Sequence, residues 1–204
     1  MWQQIAENIE EETSQPFNIL NKQIISGGDI NDAYKISSEN KQYFVKLNTK
    51  DKLEVFIQKS YSLAKLKQQS QFVVPNVITL GTTLDKSYLV QEFIPLTQGN
   101  LVDWQEFGET LAIMHRQTIH GKFGWPEDNF IGTSVQFNAW STNWSTFFSE
   151  NRIAVQLQLL EEKSISLGNI RHITTHCHDI LHNYKSKPCL LHGDLWQGNT
   201  GFTA

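Results

Sequence analysis

The hydrophobic period of this chain passes from mainly strand-like to mainly helical near Leu101, and that change constrains the fold more than any other feature. Between Phe17 and Ile94, apolar, β-branched and aromatic residues come in short runs broken at Gly27-Gly28, at Ser37 to Asn40 and around Gly81 to Lys86. Such runs mark successive antiparallel strands. Three strands are expected between Phe17 and Asn48, and strand character returns from Val73 to Ile94, with Pro75 at its entrance. An acidic N-terminal helix should precede the strands. A second helix should interrupt them over 51–69, where Val55, Phe56, Lys59, Leu63 and Leu66 fall on one row. From Leu101 the spacing becomes helical: Leu101, Trp104, Phe107, Gly108, Leu111, Ala112 and His115 predict a helix with one face on a core. An aromatic-rich helix is expected over 140–163, led by Trp140, Trp144, Phe147 and Phe148, and another over 166–184. The stretch "HGKFGWPEDNFIGTSVQFN" between them reads as irregular. Strands followed by helices, with no repeats, indicate an α+β chain of two lobes, a strand-rich one over 1–94 and a helical one over 95–204.

Composition narrows the function. The 204 residues, 39% of them hydrophobic, suffice for a buried core. Seventeen basic against 21 acidic residues give a net charge of -4 with no Lys/Arg-dense face, which argues against nucleic acid as a partner. Small molecules or proteins are expected instead. The opening "MWQQIAENIEEETSQPF" lacks the basic start and apolar stretch of a signal peptide, and no run approaches the ~18 apolar residues of a membrane span, so a cytoplasmic protein without a membrane partner is expected. Cys177 and Cys189 read as reduced thiols. His172, His176, His178 and His182 include pairs four apart that could grip a metal; without a third ligand of obvious geometry they read as surface and core histidines.

Three features could carry chemistry. In "LLHGDLWQGN" a short apolar run leads into His192-Gly193-Asp194, with Asn199 five residues after the aspartate. Phosphoryl transfer to a hydroxyl needs a carboxylate to take up the proton and a ligand for magnesium, and Asp194 and Asn199 have that spacing. Asp and Asn in a glycine-rich loop can also simply shape a turn. Lys46, in "YFVKLN", is a lysine inside an apolar strand, either an edge-strand charge or a phosphate ligand. "SGGDIN" lets a backbone approach phosphate closely, or makes a hairpin turn.

In chain order these features resemble the protein-kinase-like fold shared by protein kinases, aminoglycoside phosphotransferases and choline kinases: glycine loop, strand lysine, the linker "LVQEFIPL", a helical lobe, then HGD with its asparagine. "SGGDINDAY", "YFVKLN", "FGWPEDNFIG", Gln136-x-Asn138, "WSTFFSENRI" and "HGDLWQGN" are similar, more narrowly, to the fructosamine kinase (ketosamine 3-kinase) family. The resemblance implies a small antiparallel-sheet N-lobe with one helix, a mostly helical C-lobe, and ATP with Mg2+ as cofactors. It implies Asp194 as the catalytic base, Asn199 as a magnesium ligand, Lys46 on the ATP phosphates and Gly27 and Gly28 in the loop that covers them. The backbone of Glu92, Phe93 and Ile94 would receive the adenine, and Trp196 could stack on a sugar. The implied reaction phosphorylates a sugar hydroxyl of a ketoamine, free or on a glycated protein, in deglycation repair. An aminoglycoside- or choline-type kinase and a non-catalytic, degenerate kinase-fold binding protein are the alternatives.

Two departures accompany the resemblance. The family continues to an Asp-Pro-Ala segment and further helices, so the chain is expected to be C-terminally incomplete. In addition, Lys59 of "VFIQKSYSLAKL" stands where the family's helix presents a glutamate to the phosphate-binding lysine. Its row should turn it inward, toward Lys46; a shifted helix would instead bring Glu54 there.

Overall fold

The computed structural model describes residues 1–25, 31–117 and 120–203. The chain forms two compact units, Met1–Met114 together with His192–Ala204, and His115–Leu191. The first therefore takes in the helix that follows the linker and the segment that begins at His192, beyond the 1–94 stretch.

The first unit opens with α1 (Trp2–Thr13), in which Ile5 and Ile9, four apart on one face, are fully buried. The three expected strands follow as β1 (Asn21–Ile24), β2 (Asp32–Ser37) and β3 (Gln42–Thr49). A 3₁₀ turn (Lys50–Lys52) leads into α2 (Leu53–Gln69), and β4 (Val77–Thr82) and β5 (Lys86–Glu92) complete an antiparallel sheet of order β1-β2-β3-β5-β4. Alternation in β3 sorts its side chains onto two faces. Tyr43, Val45 and Leu47 join Ile5, Ile9, Phe17, Ile36, Tyr88 and Val90 in the core under α1. Phe44, Lys46 and Asn48 fall on the other face, where Lys46 pairs across to Leu89. Tyr88, wholly buried, accepts a 2.6 Å hydrogen bond from Asn8 Nδ2, so its hydroxyl is not stranded in the core.

The linker leads to α3 (Leu101–Arg116). The apolar row expected to lie on a core does so only in part. Phe107 and Leu111 are half-buried, but Leu101 is 85% exposed and Trp104 42%, and the buried residue of the helix is Met114, outside that row. What the row meets instead is aromatic: Phe107 lies 5.1 Å from Phe72, and Trp104 lies 4.8 Å from Phe202. Periodicity reports that a face is apolar, not what covers it.

The second unit holds three corrections. The stretch expected to be irregular contains a hairpin, β6 (Asn129–Ile131) with β7 (Ser134–Gln136), turning at Gly132, whose φ is 62°. The aromatic helix begins at Trp144, not 140, because Asn143 Oδ1 accepts the Thr146 N–H at 3.0 Å and caps it. Trp140 lies outside the helix, next to Ser141, which pairs in an extended bridge with Phe123. From α4 (Trp144–Phe148) the helix passes through a π-turn (Ser149–Ala154) into α5 (Val155–Glu162). The last helix, α6 (Ile170–Leu181), is shorter than the 166–184 expected, since Asn169 caps it by accepting the His172 N–H at 2.9 Å.

The π-turn carries Arg152 into a polar centre. Its guanidinium donates to Asn138 Oδ1 at 2.6 Å, to the Phe137 carbonyl at 2.5 Å and to the Asn151 carbonyl at 3.0 Å, and lies 4.5 Å from the Phe147 ring centroid. Asn138, buried, donates its own N–H to Asp128 Oδ1 at 2.8 Å and its Nδ2 to the Glu127 carbonyl at 3.0 Å. Three of the quoted motifs, "FGWPEDNFIG", Gln136-x-Asn138 and "WSTFFSENRI", thus meet in one hydrogen-bonded network.

Candidate active site

Lys46 sits mid-strand on β3, between Ala33 of β2 and Leu89 of β5, facing away from the α1 core. From α2, Lys59 acts on it as the nearby like charge, and Asp194 as the nearby carboxylate. Burial first, and the Lys59 charge second, push Lys46 down from the ordinary lysine value to about 7, against the pull of Asp194. The inward reading of Lys59 matches the geometry. Glu54 does not take its place, for it is exposed and its carboxylate accepts from Gln58 Nε2 at 3.0 Å.

Asp194 follows Gly193, whose φ of 86° lies in the left-handed region that a side chain resists. The turn lets the Asp194 N–H approach His192 Nδ1 at 3.4 Å. Burial lowers the His192 pKa below the usual histidine value, with Lys59 adding to it and Asp194 opposing, so a neutral ring can accept that bond. A 3₁₀ turn (Gln197–Asn199) then brings Asn199 back over the aspartate. Its Nδ2 donates to Asp194 Oδ2 at 2.6 Å and to the Asp194 carbonyl at 3.0 Å. With the amide nitrogen so engaged, the amide oxygen is the atom Asn199 has for a cation. Trp196 is 54% exposed, and its indole lies over Gly198, where an added Cβ would come 2.4 Å from the ring.

The linker anchors this segment. Phe202 accepts on its carbonyl from Thr97 N–H at 2.7 Å and Thr97 Oγ1 at 3.1 Å, and its ring covers Gly99. A Cβ at Gly99 would lie 2.2 Å from that ring. Gly99→Ala is therefore expected to displace Phe202 and destabilise the protein by about 1–3 kcal/mol, read as a lower Tm. An unchanged Tm would show that the ring moves aside freely.

Sequence reasoning did not find Asn76, whose signal was its place directly after Pro75. Asn76 donates to both Glu92 carboxylate oxygens, at 2.8 Å from its N–H and 2.7 Å from Nδ2, and accepts the Glu92 N–H at 2.9 Å. The backbone bond from Asn76 is the main reason the Glu92 carboxyl is held below the usual carboxylate range. Glu92 thus clamps the start of β4 to the end of β5. Of the next two linker residues, Phe93 carries Lys35 Nζ 4.4 Å over its ring, and Ile94 is half-buried. Gly27 and Gly28 lie outside the described residues. Asn31 just after them accepts from Asn48 Nδ2 at 2.8 Å, tying that end of the loop to β3. Both cysteines are free thiols. Among the described residues no group of three His, Cys, Asp or Glu side chains could hold a metal, and no helix is long and apolar enough to cross a membrane.

An antiparallel sheet with a central lysine, and an HGD loop whose asparagine folds back on the aspartate, define a two-lobed α+β phosphotransferase of the kinase-like fold. The same fold is seen in a spectinomycin phosphotransferase crystallised with ADP and spectinomycin, at TM-score 0.51 and 17% identity over 99% of this chain and 65% of that one. The chain belongs to the fructosamine kinase family, whose model matches residues 1–204. It is 38% identical over 207 residues to a "probable ketoamine kinase" of Vibrio vulnificus, covering 100% of this chain and 71% of the relative. The "probable ketoamine kinase" of Escherichia coli K12 is 33% identical, over 98% and 69% respectively. A crystal structure of a candidate fructosamine-3-kinase from Haemophilus somnus superposes at TM-score 0.92 with 32% identity, covering 100% of this chain and 69% of that one.

Proposed function

We propose that the protein catalyses ATP-dependent phosphorylation of a sugar hydroxyl on ketoamine adducts, free or on glycated proteins, as a step of deglycation repair. The observation that carries this reading is the Asp194 carboxylate, fixed by Asn199 and acting on Lys46. Asp194 accepts the proton of the attacking hydroxyl, and its second oxygen is held by Asn199 so that the carboxylate keeps one orientation. Lys46 binds the α- and β-phosphates, Gly27 and Gly28 cover them, and the linker at Glu92, Phe93 and Ile94 receives the adenine through its backbone. Because the Glu92 N–H is already given to Asn76, Phe93 and Ile94 supply the donors there. Trp196, with an exposed indole, stacks on the sugar.

The donor set suits the cofactors. Two lysine ammoniums at one place call for a polyanion, and the Asn199 amide oxygen suits a hard cation such as Mg2+. Bound MgATP supplies the phosphoryl group and neutralises its developing charge. One observation favours a second reading, a nucleotide-binding protein without turnover: α2 sets Lys59, not a carboxylate, against Lys46. Incubation with ATP, Mg2+ and fructoselysine or ribuloselysine, followed by mass spectrometry, tests both. Phosphorylated ketoamine is the expected product. ATP binding without any such product would favour the second reading, and preferential phosphorylation of an aminoglycoside or choline would overturn the substrate class.

A further inference from the structure

We infer that Lys59 is a second phosphate-binding residue, forming with Lys46 a two-ammonium grip for the phosphate chain of a nucleotide. This rests on the nucleotide-site reading and departs from the lysine–glutamate pair by which kinases orient the strand lysine. The geometry is unusual for two like charges. Lys46 projects from the middle of β3 on the face away from α1, beside buried Leu89, and half-buried Lys59 shares its row with buried Phe56 on α2, the helix packed against β4 and β5. Two ammonium groups so placed repel each other, so in the absence of an anion the charge on Lys46 is disfavoured.

The charged groups acting on Lys46 are few. Lys59 from α2 disfavours its charge, and Asp194 from the HGD loop favours it. His192, on the same loop, lies close enough to feel both Lys59 and Asp194. The strand partners Ala33 and Leu89 carry no charge. Glu54, the acidic residue of the first turn of α2, is exposed and engaged with Gln58, so it offers Lys46 no carboxylate. A polyphosphate fits between the two amines because it repels neither and accepts from both. When it binds, Lys46 takes up the missing proton. Affinity is then complete below about pH 7 and falls as pH rises, until the pKa of the bound state is passed.

Isothermal titration of the protein with magnesium-free inorganic tripolyphosphate and with ATP, at about pH 8 in two buffers of different ionisation enthalpy, reads this proton directly. The wild type is expected to take up nearly one proton, with affinity falling almost tenfold between about pH 7.5 and 8.5. Lys59→Met should bind tripolyphosphate more weakly at about pH 7, take up a clearly smaller fraction of a proton, and show a shallower pH dependence, because burial still lowers Lys46 but the Lys59 charge no longer adds to it. Lys59→Glu should show still less uptake, since its carboxylate favours charged Lys46. The NMR shift of the Lys46 ε-carbon, assigned by its loss in Lys46→Arg, separates uptake at Lys46 from uptake at His192. ATP binding to the wild type without proton uptake, or with uptake unchanged in both Lys59 variants, would overturn the inference and leave the nucleotide site standing. Failure of both ATP and tripolyphosphate to bind would overturn both.

Discussion

Asp194→Asn is expected to lower the kcat of ketoamine phosphorylation by about 10²–10⁴-fold while leaving ATP affinity within about threefold of the wild type. The amide has nearly the shape of the carboxylate, and its oxygen can still accept from Asn199 Nδ2, which now lies 2.6 Å from Asp194 Oδ2. What it cannot do is take the proton of the attacking hydroxyl. The substitution also removes the attraction that favours charged Lys46, so a small shift in the pH dependence of nucleotide binding should accompany the loss of turnover. Steady-state kinetics and nucleotide titration on the same preparation check both parts. If Asp194→Asn kept most of the wild-type kcat, the carboxylate would be a turn-former and the base would lie elsewhere.

The second large effect is on stability. Arg152→Met should cost about 3 kcal/mol, seen as a Tm lower by about 6–12 °C. Methionine preserves much of the packing on Phe147 but leaves Asn138 Oδ1 and the Phe137 and Asn151 carbonyls without their donor. Asn138 is buried, so water cannot readily replace that bond. Arg152→Lys, which keeps the charge but not the planar fork, should fall between the two. Thermal unfolding of the three proteins is the measurement. A loss under about 1 kcal/mol for Arg152→Met would mean that the network is wet and that Arg152 is an ordinary surface residue.

The two outcomes would separate what the family-like motifs do. Asp194 and Asn199 face solvent and hold each other, with no core to serve, as expected of groups kept for chemistry. Asn138 and Arg152 spend their hydrogen-bonding capacity on one another and on nearby carbonyls. Their motifs then mark a structural knot, even though they are as recognisable in the sequence as "HGDLWQGN".

Local rules were enough to read much of this protein from its sequence. The five strands of the first unit, α2 and the change to helices near Leu101 follow from side-chain period, because pleat and helix repeat within a few residues. The spacing of Asp194 and Asn199 was equally legible, since both atoms belong to one short turn. Lys59 could be placed inward from its row alone, and the structure sets it against Lys46. What the row could not tell was the consequence, a lysine carried down to about 7, which depends on burial by elements distant in the chain. Tertiary structure also decided that Asn76 clamps Glu92, that Phe202 closes on Gly99, and that Asn138 meets Arg152. It decided as well that Trp104 and Phe107 of the α3 row meet aromatic rings of Phe202 and Phe72, while Leu101 is left in solvent. Each of these is a contact between side chains that no helical or strand period relates, and only the folded chain determines which such pairs come within reach.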